Sequence, residues 1–203
     1  MAGTPFDLQL LNACAALLLL LSFSMLSQRR IVTLVNLLAM QGGLLFVATL
    51  LLAWRTGQSH LYLSAALTLL LKVILLPWLL HRLIRRLEVY WDTEPLLNVP
   101  GTMLVGLVTV VFAFGLAQPI AELANTATRN AIGIAVAVIL LAFITMITRR
   151  KAMSQVVGFL SMENGLFFGA MSATYGMPMI VELGVALDVL VAMLVLGVFF
   201  FQI

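Results

Sequence analysis

The sequence predicts an all-α, polytopic membrane protein of about seven transmembrane helices, and three observations carry that prediction. Of the 203 residues, 63% are hydrophobic and only 9% charged, and the mean hydropathy of +1.15 lies outside the range of water-soluble domains. The apolar stretches come in blocks of about 20, the length at which a helix rising ~1.5 Å per residue crosses ~30 Å of hydrocarbon. Short segments of alternating hydrophobicity are absent, which excludes an outer-membrane barrel.

Taken in order, the spans are expected at 6–26, 31–53, 61–84, 101–121, 130–148, 152–174 and 178–201. The start of the chain carries Asp7 where a signal peptide would be basic, and Arg29 and Arg30 follow the apolar run, so this span is read as retained. The single cysteine, Cys14, lies within it and can form no intrachain disulfide or thiolate cluster; it is read as a small buried hydrophobe. The loops after spans one, three and five hold Arg29, Arg30, Arg82, Arg85, Arg86, Arg149, Arg150 and Lys151, whereas the opposite loops hold only Arg55 and Arg129. By the positive-inside rule the richer side is cytoplasmic, which puts the N-terminus outside and, after an odd number of spans, the C-terminus inside. A pI near 9.5 therefore reflects orientation in a bilayer and not nucleic-acid binding.

The loop at 85–100, RRLEVYWDTEPLLNVP, reads as an interfacial strap. Its Tyr90 and Trp91 suit the headgroup layer, its two prolines stop helix propagation, and Glu88, Asp92 and Glu94 are read as solvated. His60 and His81 fall at span ends as ordinary interfacial residues. Nothing resembles a nucleotide loop, a zinc helix or a nucleophile elbow, so the chain is read as non-catalytic, holding no cofactor or metal of its own.

Residues 38–46, LAMQGGLLF, and 160–168, LSMENGLFF, share five identities in nine at an offset of 122. The match suggests a parallel three-helix repeat, with copies at 1–86 and 130–203 joined by the strap and a linking span at 87–129, all within one membrane domain. Gln41 then occupies the place of Glu163, and Lys72 that of Asp188.

Four ionisable residues, Lys72, Glu163, Glu182 and Asp188, fall inside apolar runs, where insertion costs roughly 2.5–3.5 kcal/mol each. Glu163, Lys72 and Asp188 lie near mid-depth and form a layer, the geometry a lateral proton route needs. Glu182, just after Pro178, sits near the outer end of the seventh helix, where the helix dipole favours a negative charge; it is read as a stabilising charge, a proton exit or a subunit contact. On the sixth span Gly158, Gly165 and Gly169 fall on one stripe that admits a neighbouring helix. Glu163 points away from that stripe, beside Phe159, Leu160, Leu166 and Ala170, so its partner must come from another helix, another subunit or trapped water. Pro77 cannot donate to the carbonyl of Val73, which weakens the helix one residue beyond the Lys72 amine.

LTLLLKVILLPWLL in the third span, and VVGFLSMENGLFFGA with VELGVALDVL in the last two, resemble component E of membrane-bound group 4 nickel–iron hydrogenases, the hydrogenase-4 type related to formate hydrogenlyase. Residues 149–200 also resemble the three-helix K subunit of complex I and its counterpart in sodium/proton antiporters. In that family a membrane glutamate stands two residues after the position of Gly158; here that place is Leu160, and the nearest acid is Glu163, with Asp188 at the place of the second glutamate. The resemblance implies a multi-pass subunit of the bacterial cytoplasmic membrane, placed among antiporter-like and complex I-like membrane subunits and a peripheral hydrogenase module. It also implies a proton relay of the complex I type; Glu163 and Asp188 would carry protons and Lys72 would tune or relay, with Glu182, Asn164 and Gln41 as further proton-transfer candidates. Nickel, iron–sulfur clusters and hydrogen would belong to partner subunits. The rival readings are a structural linker without a proton path, a subunit of a cation/proton antiporter or other complex I relative, and a self-sufficient transporter.

Overall fold

The computed structural model describes residues 5–57, 59–88, 90, 98–122, 126–174 and 184. Its helices are α1 (Pro5–Ser27), α2 (Ile31–Thr56), α3 (Ser59–Thr68), a π-helical segment (Leu69–Leu75), α4 (Leu76–Leu87), α5 (Val99–Glu122), α6 (Thr126–Thr148) and α7 (Ala152–Thr174). The segment α3–π–α4 is one continuous span, so six stretches among the described residues are long and apolar enough to cross a membrane: Gln9–Ser27, Ile31–Thr56, Leu61–Leu87, Val99–Pro119, Ala131–Thr148 and Ala152–Ala173. The expected seventh span, with Glu182 and Asp188, lies outside the described residues. The third span runs three residues beyond its expected end, because Arg85, Arg86 and Leu87 form the last helical turn before Glu88 takes up a left-handed conformation (φ 53°).

Local rules fix the ends of α2. Arg30 is extended ahead of the first turn, and the Ile31 N–H donates to the Tyr90 carbonyl at 3.1 Å, tying the start of the strap to that helix end. At the other end Gly57 adopts φ 67°, which a side chain would disfavour, and its N–H closes the helix on Ala53 O at 2.9 Å. Arg149, between α6 and α7, is buried and donates through Nη2 to Met25 O and Leu26 O at 3.2 and 3.1 Å, satisfying carbonyls in the last turn of α1.

Helices cannot be driven together by apolar burial in lipid, so close backbone approach does that work. The α6–α7 pair shows how. A Cβ added at Gly158 would meet Met146 Cγ at 2.7 Å, at Gly165 Val138 at 2.9 Å and at Gly169 Ala135 at 2.9 Å. The glycine stripe thus seats α6 of the same chain. Around this pair, α1 packs on α2, α5 and α6, and α2 packs on α7 and on the whole α3–π–α4 span.

Two apolar clusters result. The cluster at the basic end joins Met25, Leu34, Leu38, Leu76, Leu80, Leu83, Val157 and Leu160; the other joins Leu18, Leu45, Leu52, Leu61, Ala135, Phe167, Phe168 and Met171. On α1, α2, α7 and the third span the chain passes from one cluster to the other through a short polar interval.

A buried charge pair between two apolar layers

Those intervals supply Ser22 from α1, Gln41 from α2, Lys72 from the π segment, and Glu163 and Asn164 from α7, each no more than 4% exposed. Lys72 Nζ donates to Glu163 Oε1 at 2.7 Å and to Asn164 Oδ1 at 2.9 Å. Asn164 Nδ2 donates to Gln41 Oε1 at 3.3 Å, Gln41 Nε2 to Ser22 Oγ at 2.8 Å, and Ser22 Oγ–H to Leu18 O at 2.9 Å. The Phe167 ring centroid stands 5.4 Å from Nζ, adding a π face to the ammonium's surroundings. Glu163 Oε2 is buried and has no hydrogen-bond partner among the described residues.

The backbone explains how a lysine enters this layer. The Leu76 N–H reaches back five residues to Leu71 O and closes the π segment, and Pro77, which has no N–H to offer, falls in the first turn of α4. The sequence places the weak point at the Val73 carbonyl; in the structure the irregularity is wider, from Leu69 to Leu75, and takes in both Val73 and Lys72. The α2 backbone then comes close: a Cβ on Gly42 would lie 2.9 Å from Lys72 Cβ and 3.1 Å from its carbonyl oxygen.

Of the residues the sequence singled out, Lys72, Glu163, Asn164 and Gln41 converge here. Of the three sources the sequence allows for a partner to Glu163, another helix, another subunit or trapped water, the structure supplies another helix. Ser22, Gly42 and Phe167 were not singled out. Ser22 gave no signal, since a serine in a membrane helix ordinarily bonds its own i−4 carbonyl, as this one also does; the role of Gly42 depends on a contact between segments 30 residues apart. Among the described residues no three His, Cys, Asp or Glu side chains come together as a metal site would require.

Chemically, the site is an ammonium and a carboxylate bonded at mid-depth. The Asn164 amide, held in turn by Gln41, orients the ammonium, and an apolar cluster lies on either side of the pair along the bundle. Fold and site together define a multi-pass helical membrane protein with a buried charge pair. The chain is 37% identical over 199 residues, 98% of its length and 90% of the relative's, to the uncharacterized protein Rv0085 of Mycobacterium tuberculosis, and it belongs to that protein's family. No family model matches the chain. No solved structure matches it either.

Proposed function

We propose that the chain is a non-catalytic membrane-arm subunit of a group 4 nickel–iron hydrogenase complex related to complex I, in which Glu163 and Lys72 form part of a lateral proton route. The observation that carries the reading is the 2.7 Å Lys72–Glu163 pair at mid-depth. Apolar clusters close the layer toward either face, which favours movement sideways between subunits over movement straight through. The open Oε2 of Glu163 is the atom from which a proton would enter or leave, and Asp188, which the sequence expects in a seventh span, would be the next carrier. Asn164 and Gln41 orient the lysine; amide groups do not themselves pass protons readily. The resemblance of the LKVILLP and MENG segments to hydrogenase component E supplies the assembly: antiporter-like neighbours in the bacterial cytoplasmic membrane and a peripheral module holding nickel and iron–sulfur clusters.

Glu163→Gln keeps the shape and removes the titrating group. In proteoliposomes containing the whole complex, this variant is expected to assemble, retain hydrogen chemistry and lose most proton translocation. Pumping at the wild-type level would overturn the relay. One observation favours a second reading, a structural linker: both ends of the Gln41 and Asn164 amides are hydrogen-bonded, as helix glue would be. Under it Glu163→Gln leaves translocation and hydrogen activity intact. Gentle purification decides the assembly, since a nickel-containing partner separates a hydrogenase from an antiporter or another complex I relative.

A further inference from the structure

Among the described residues, the third span turns one face to the bundle and leaves the other open. Leu76, Leu79, Leu80, Leu83 and Ile84 are buried against α2 and α7. Leu70, Ile74 and Trp78 are 55–57% exposed, and Arg82 and Arg85 are exposed beyond them. At ~100° per residue, Trp78, Arg82 and Arg85 lie within about 60° of one another on the helix. The face is thus an apolar strip ending in two guanidinium groups.

Depth sets what such a face can meet. Arg82 is ten residues beyond Lys72, ~15 Å along the helix, which is half of a ~30 Å hydrocarbon layer. With Lys72 at mid-depth, Arg82 arrives at the headgroup boundary. Trp78 sits one turn deeper, at the level where indole rings concentrate in membrane proteins. Its ring holds the Arg82 guanidinium at 5.4 Å from the centroid, which pre-orders a planar fork matched to phosphate oxygens.

We propose that this face binds one anionic phospholipid, its headgroup phosphate at Arg82 and Arg85 and an acyl chain along Trp78, Ile74 and Leu70. The inference needs only that the chain spans a bilayer, not that it carries protons. A soluble acidic partner would match the arginines but not the strip of apolar side chains below them. A free phosphate would leave that strip unused. A lipid uses both parts, and it lies on the outer side of the helix whose inner side presents Lys72.

The test is native mass spectrometry of the full chain in mild detergent, titrated with phosphatidylglycerol and with phosphatidylcholine of the same acyl chains. Two basic residues at an anionic headgroup predict a preference of roughly 30-fold for phosphatidylglycerol. Arg82→Gln/Arg85→Gln is expected to abolish that preference, and Arg29→Gln, an exposed arginine at the same end of the bundle, to keep it. Equal binding of the two lipids, a preference that survives the double variant, loss of it in Arg29→Gln, displacement of the lipid by inorganic phosphate, or a second copy of the chain occupying the face would each overturn the proposal. A second readout does not depend on the double variant folding. In Trp54→Phe/Trp91→Phe, which keeps Trp78 alone, brominated phosphatidylglycerol should quench fluorescence more than brominated phosphatidylcholine, and equal quenching would overturn it.

Discussion

A lysine and a glutamate buried at mid-depth are tolerable only as a pair. Each alone would be an uncompensated charge in a medium that cannot solvate it, and breaking such a pair from one side typically costs about 3–5 kcal/mol. Lys72→Met is therefore expected to destabilise the protein by that order, and Lys72→Met/Glu163→Leu to recover much of the loss, because the stranded carboxylate is then gone. Unfolding of the two variants in mixed micelles measures the difference. Gly42 and Gly43 offer a sharper contrast at the same scale. A methyl group at Gly42 would press on the Cβ and carbonyl of Lys72, whereas one at Gly43 meets nothing within 4 Å. Gly42→Ala should cost about 1–3 kcal/mol by overpacking. Gly43→Ala should gain up to about 1 kcal/mol, since alanine loses less backbone freedom than glycine in a helix. Melting temperatures that move together would refute the contact.

Among the elements, the π segment converts a proline's defect into a site. An unbroken α-helix through residues 69–77 would require an N–H that Pro77 lacks; here the π segment ends just before it, Pro77 falls in the first turn of α4, and Lys72 within the segment meets Glu163 and Asn164. Pro77→Ala returns the donor and lets the α register compete. Its expected signature is an unusual combination: stability unchanged or raised, because an interior proline is disfavoured by about 3 kcal/mol in an α-helix, with proton translocation reduced. Loss of both together would instead point to simple misfolding. The α6–α7 interface behaves differently, being set by volume alone. Gly165→Ala should loosen it, since the new Cβ would approach the Ile139 backbone nitrogen at 3.2 Å. Gly115→Ala on α5, with open space around it, should be neutral or stabilising. Thermal denaturation of the two variants makes the comparison.

At the level of the whole molecule, the arrangement is a polar layer between two apolar ones, with basic residues gathered at one end. The seven-span reading places the termini on opposite sides. A cysteine introduced at Thr4 should react with an impermeant maleimide from outside, and one at Lys151 or beyond Ile203 only from the cytoplasm, in a Cys14→Ala background. Labelling of both termini from one side would remove the seventh span. The sequence alone determined the helical class, the six described spans and the places of Lys72 and Glu163 near the middle of theirs, because hydrocarbon thickness and the cost of burying charge act on single segments. It located Lys72, Glu163, Asn164 and Gln41 individually, and required Glu163 to find its partner on another helix, on another subunit or in trapped water. Which helix that is, the entry of Ser22 and Phe167, the π turn and the close seat at Gly42 were decided by tertiary packing. Helix rotation and approach depend on how small residues on different spans meet, and a hydrogen-bonded pair 91 positions apart leaves no periodic mark in the chain.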